Sequence, residues 1–193
     1  MYSSKPLTQV VSIITNDELA DWLGVDATDS ILPIMASSAT SSVIEYVQHE
    51  LINRQREVIY QQWPYLGTIT GESLSRSNAA LVDVVELPYS LNVVVDEVSL
   101  YNEITTDFSI QELKPNRIKL DTVSVITDSD YPAIKVKYTS GYGVVSDVPD
   151  AIKVGALMIA AYMYEHRGEC DADQLIKQSG AASYLEPYRF NSV

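Results

Sequence analysis

The sequence predicts an α+β protein: a helical bundle of two N-terminal helices plus C-terminal helices, with an inserted antiparallel β-sheet or small β-sandwich. Three observations predict it. Apolar residues recur at helical spacing before Arg54. The middle then changes to short β-branched and aromatic runs separated by turn residues. Late in the chain, the charge-free run VGALMIAAYMY at 154–164 lies between Pro149 and Gly168, residues that suit the two ends of a helix.

In the first helix Thr15 can act as cap, and Glu18 completes a capping box ahead of Leu19, Trp22 and Leu23, with Gly24 as the stop. A longer helix is expected to open at Asp29 and run over 30–52, with Pro33 tolerated in its first turn. Ile31, Met35, Ala39, Val43, Val47 and Leu51 share one face of it. Its middle, SSATSS at 37–42, is poor in helix formers, which leaves open both a close helix contact and a solvated serine face.

REVIYQQW, ALVDVVELP, VVVDEVSLYN, DFSIQEL, RIKL and AIKVKYT read as strands, with a turn at 114–116. Their connections are too short for helical crossovers, so the pairing is expected to be antiparallel. The Gly/Ser/Thr-rich stretch that follows Trp63 reads as a flexible loop over 64–80. Helix returns after SGYG: Pro149 suits the first helical position, Asp147 and Asp150 the positive end, His166 and Arg167 the negative end. The apolar run spans about 16 Å as a helix, half of a bilayer core, so it is no membrane span. A short helix and a tail over 184–193 close the chain. The helical part thus covers 15–53 and 147–187, the β-rich part 54–139, and no linker separates them.

Charge narrows the function. The chain carries 26 acidic and 13 basic residues, net −13, and its first 53 residues hold Lys5 against seven acids. Gripping DNA would call for a basic patch, because phosphate neutralisation dominates that affinity. The acidity suits solubility, or a surface past which nucleic acid slides without sticking. Thirteen Tyr against 2 Phe and 2 Trp suggests packing and wet contact surfaces.

No constellation points to catalysis. SGYG lacks the third glycine of a dinucleotide fingerprint, and Ser140 lacks the flanking glycines of a nucleophile elbow. The acids of CDAD at 170–173 lack calcium-loop spacing, and Asp96 and Glu97, adjacent on a strand, point to opposite faces. Cys170 is the lone cysteine, and His49 and His166 are too sparse to frame a metal centre. No enzymatic activity, metal or cofactor is expected.

Taken in order, ITNDELADWLGVD, the long helix, YQQW, ELPYSLNVVVDEVSLYN, IKVKYTSGYG, VPDAIKVGALMIAAYMYEHRG and YLEPYR give the chain its clearest likeness. It resembles the head-tail connector (adaptor, or head-completion) proteins of tailed bacteriophages, from about Ile14 to Arg189. The resemblance implies one structural connector subunit over 1–193, made in the host cytoplasm and located at the head-tail interface of the virion. It implies a homo-oligomer, a dodecameric ring that docks on the portal protein and continues the DNA channel. DNA passes through without specific binding, and a stopper or tail-completion protein takes the other face. On that reading Tyr162, Tyr164 and Arg167 are inter-subunit or packing residues, and Tyr188, Arg189 and Phe190 are portal contacts. The alternative is a tail-completion protein or another ring-forming module that binds a tail-tube partner.

Overall fold

The computed structural model describes residues 2–63, 65–66, 80–81, 83–111, 116–121, 130–167 and 174–190. They form an α+β fold whose chain divides into two units, Met1–Thr8 with Arg54–Ser140, and Gln9–Asn53 with Gly141–Val193.

The first unit holds the strands: β1 (Tyr2–Pro6), β2 (Arg54–Tyr60), β3 (Tyr65–Leu66), β4 (Ala80–Leu81), β5 (Val84–Glu86), β6 (Val94–Leu100), β7 (Glu103–Thr105), β8 (Phe108–Ile110), β9 (Arg117–Leu120) and β10 (Ile134–Ser140). All their pairings are antiparallel, in a five-stranded sheet β1-β2-β10-β6-β7, a three-stranded sheet β5-β9-β8 and the pair β3-β4. Alternation decides which faces are buried: Ile134, Val136, Tyr138 and Ser140 of β10 point inward while Lys135, Lys137 and Thr139 are half-exposed on the opposite face. Val58, Tyr60, Val98 and Val136 of the larger sheet share one core with Val85, Ile118 and Leu120 of the smaller one. Two sheets with a common core make this the sandwich alternative of the expectation.

The buried aromatics satisfy their polar ends. Tyr60 Oη donates to the Glu86 carbonyl at 2.9 Å, Trp63 Nε1 to Tyr101 Oη at 3.0 Å, and Tyr138 Oη to the Pro88 carbonyl. The outer face of the large sheet carries a row of alternating charge, Lys5, Glu57, Lys137 and Glu97, in cross-strand register over four strands. Lys5 meets Glu57 and Lys137 meets Glu97, each at 2.9 Å. Where the register of β6 shifts, Asp96 accepts from Gln55 Nε2 at 3.0 Å and Thr139 Oγ1 at 2.9 Å.

Several strand expectations are corrected. The N-terminal residues form β1, a strand that no sequence pattern announces: YSSKP has little strand propensity and is held by pairing to β2. ALVDVVELP is two strands, β4 and β5, in different sheets. The base of the expected loop 64–80 is paired, Tyr65 opposite Leu81 and Leu66 opposite Ala80; the rest of that loop lies outside the described residues.

The second unit holds α1 (Asn16–Leu23), α2 (Leu32–Val47), α3 (Asp150–Glu165), α4 (Leu175–Gln178) and α5 (Ala182–Leu185), with 3-10 turns at Val145–Asp147 and Glu186–Tyr188. The capping box of α1 forms: Glu18 N–H donates to Thr15 Oγ1 at 3.2 Å and Thr15 N–H to Glu18 Oε2 at 2.7 Å. Gly24 ends it in the left-handed region at φ 68°.

α2 is shorter than expected at both ends. Asp29 does not open it; its carboxylate accepts from Ile31 N–H at 3.1 Å in the preceding turn. Gln48, left-handed at φ 61°, ends it after Val47, so Leu51 is buried beyond the helix. Both alternatives for its serine-rich middle hold, on opposite sides. Ala36, Ala39 and Thr40 are buried, while Ser37 is exposed and Ser41 and Ser42 bond back to the carbonyls of Ser37 and Ser38.

In α3 the expected first-turn proline is instead the cap: ψ of 136° at Pro149 is extended, and Asp150 is the first helical residue. Asp147 belongs to the turn before it, where its carboxylate accepts from Val144 N–H at 2.9 Å. Ile152, Gly155, Ala156, Ile159 and Ala160 are buried, against α2, α5 and α1. Gly155 is required by Leu185 of α5, whose Cδ2 would stand 2.8 Å from a β-carbon. The other face, with Val154, Leu157, Met158 and Ala161, is half-exposed. Gly168, the expected terminator, lies outside the described residues, as do Cys170 and the acids beside it.

Candidate interaction site

The six residues singled out from the sequence fall in two places within the helical unit. Tyr162, Tyr164 and Arg167 cluster where α3 ends and its last carbonyls lack helical partners. His166 N–H donates to the Tyr162 carbonyl at 3.0 Å and Arg167 Nε to the Tyr164 carbonyl at 3.1 Å, which places the guanidinium at the negative helix end. The His166 ring stacks on Tyr162 at 4.1 Å, and the Arg167 guanidinium lies 4.0 Å over the Tyr164 ring. Tyr162 Oη donates to Gln178 Oε1 at 3.0 Å, and Tyr164 Oη to Asp29 Oδ2 at 2.9 Å. The Asp29 carboxyl is held below its usual range, first by the Ile31 N–H and next by this hydroxyl. Both tyrosines thus pack within the subunit while remaining half-exposed, and Arg167 is exposed.

The second place is a strap, Glu186 to Phe190, laid across the end of α2. Phe190 N–H donates to the Val47 carbonyl at 2.8 Å, filling an acceptor that the helix end leaves open. His49, buried, sets Nε2 at 2.9 Å from the Tyr188 carbonyl and its ring edge-on to Tyr142 at 5.6 Å. Tyr46 Oη donates to Glu186 Oε2 at 2.6 Å, and this bond is the main reason the Tyr46 hydroxyl is pushed up from its ordinary value. The Arg189 guanidinium lies 5.3 Å from the Tyr46 ring centre. The strap therefore docks on its own subunit through backbone and polar contacts, yet leaves Arg189 and Phe190 exposed and Tyr188 half-exposed. Tyr46, His49 and Asp29 were missed from sequence, because nothing local marks them as partners of residues more than a hundred positions away.

Around these clusters the charge is uneven. The helical unit holds 14 acidic and 4 basic residues, net −10, and the β unit 12 and 9, net −3. On α1, Asp17, Glu18, Asp21 and Trp22 are all exposed. Among the described residues no three His, Cys, Asp or Glu side chains converge as metal ligands, and no helix is long and apolar enough to cross a membrane.

No protein-family model matches the chain, and no curated protein does. Solved structures do. A chain from the neck of an empty gene transfer agent particle, computed with C6 symmetry, superposes with a TM-score of 0.72 at 17% identity, over 99% of this chain and 97% of that one. A chain from the neck of the native particle, computed with C12 symmetry, gives 0.66 at 17% identity with the same coverage, 99% and 97%. A chain from the virion of the native particle gives 0.63 at 16% identity, over 98% and 96%. At such identities the likeness is one of fold, and it extends over both units.

Proposed function

We propose that this chain is a structural, non-enzymatic subunit of a phage-like virion neck. Copies of it form a ring adaptor, dodecameric in the virion, between the portal and the tail or stopper, and the ring continues the DNA channel. The helical unit serves as its bundle-like base. The observation that carries the reading is the fold likeness, along nearly the whole chain, to chains of gene transfer agent necks. Those necks were computed with sixfold and twelvefold symmetry, which favours a ring. A net charge of −10 on the helical unit suits a wall that DNA passes without adhering.

On this reading Tyr162, Tyr164 and Arg167 present a firm, wet edge to the next subunit, and the strap carrying Tyr188, Arg189 and Phe190 meets the portal. Binding assays with immobilised portal, tail-tube and tail-completion proteins from the same phage-like genome test it. Retention by portal is expected, weakened at least tenfold by joint Arg189→Ala and Phe190→Ala substitution. Retention by the tail-tube protein alone would replace the adaptor with a tail-side module.

A further inference from the structure

β1 is an unusual edge strand. Between it and β2 the chain builds α1 and α2 of the helical unit, so no hairpin joins the two. It puts no large side chain in the core: of Tyr2 to Pro6 only Ser4 is half-buried, the others being exposed. What holds it lies on β2 and the residues flanking it. Tyr2 to Pro6 pair with Tyr60 to Arg56, Lys5 meets Glu57, and the Tyr2 ring lies 5.2 Å from that of Tyr60. Just beyond, Leu7 N–H donates to the Gln55 carbonyl at 2.9 Å and Arg54 Nε to the Thr8 carbonyl at 2.8 Å. Pro6 falls on a pair that exchanges no backbone bonds, so the strand is complete despite its missing N–H.

We propose that β1 is exchanged between copies: in the ring, Tyr2–Pro6 of one subunit completes the five-stranded sheet of the next by pairing with that copy's β2. The inference rests on the ring reading above. An exchanged strand would make the same contacts residue for residue, so contact energy does not oppose the exchange. Local concentration then decides, and a ring holds each neighbour's β2 close by. A closed head-to-tail ring needs two different, complementary surfaces on every subunit, and a donated strand with a vacated β2 edge supplies both.

Ser4 and Val58 face each other across the two strands on a non-hydrogen-bonded pair, the arrangement in which side chains stand closer. Ser4→Cys with Val58→Cys, in a Cys170→Ser background, therefore reports who pairs with whom. Rings assembled on portal are oxidised and run without reductant. Exchange gives a ladder of covalently linked chains, and a single-chain band with both thiols consumed overturns it. If thiol titration shows no bond, deletion of residues 2–6 decides. Exchange requires that the shortened subunit keep its cooperative melt and lose ring closure. Rings formed at wild-type yield, or a subunit that no longer folds, contradict it. Failure of the unaltered chain to associate at all would count against the ring reading and not against the strand.

Discussion

Gly141 joins the last strand to the helical unit at φ 143°, and a β-carbon there would lie 2.4 Å from the Ile52 carbonyl carbon. Only glycine fits both conditions. Gly141→Ala is expected to cost about 3 kcal/mol, read as a lower urea midpoint, since backbone must move as well as strain. Gly24, also left-handed but with open space around its β-position, gives the contrast. Gly24→Ala should cost no more than about 1–2 kcal/mol. At the other end of α1, Thr15 N–H first, and its hydroxyl second, hold the Glu18 carboxyl below its usual value. A depressed carboxyl stabilises fully above its unfolded pKa of about 4.3 and loses that contribution as pH falls through the folded value. The melting-temperature gap between wild type and Glu18→Gln should therefore be present at neutral pH and close in acid; a gap independent of pH would contradict the capping role. Thr15 and Glu18 were legible in sequence because a capping box is a local four-position pattern, and Gly24 because a glycine after the last periodic residue marks a helix stop. Asp29 with Tyr164 was not, because their bond joins residues 135 positions apart.

Among the elements, α3 was the most legible, and the reason is physical: Pro149 marks its start and His166 and Arg167 its end, and a charge-free run of eleven residues lies between them. What covers it was readable only in part. Gly155 admits Leu185, so Gly155→Ala should overpack the contact with α5 and cost about 1–3 kcal/mol, seen by thermal melting. The strap was expected as a tail of portal contacts; its docking on its own subunit was not legible, since its partners are the Val47 carbonyl, the His49 imidazole and the Tyr46 side chain, which no local pattern marks. Truncation after Leu185 strips the donor from the Val47 carbonyl and the acceptor from His49. A loss of about 1–3 kcal/mol in urea unfolding is expected, and an unchanged midpoint would mean that the strap adds nothing. The missed β1 has a related cause. Edge strands are specified by the strand they join, and YSSKP carries little propensity of its own. ALVDVVELP erred in the opposite direction: its β-branched and aliphatic residues carry strand propensity on both sides of Asp83, so the division between β4 and β5 is marked by no glycine or proline.

At the scale of the whole molecule, the order of helix, sheet and helix was legible because periodicity changes at Arg54 and again near Ser140. The division of charge was legible only once the units were known. Net charge of −10 on the helical unit predicts no retention of duplex DNA at 50 mM salt in a filter assay, for the free subunit and the ring alike. Micromolar binding there would be inconsistent with a passive channel wall. Association is the larger claim, and mass photometry of the chain with and without portal protein tests it most directly. The expected result is a discrete complex whose mass exceeds that of the portal by twelve 21.4 kDa subunits. A chain that stays at 21.4 kDa at every concentration and adds nothing to the portal would contradict it.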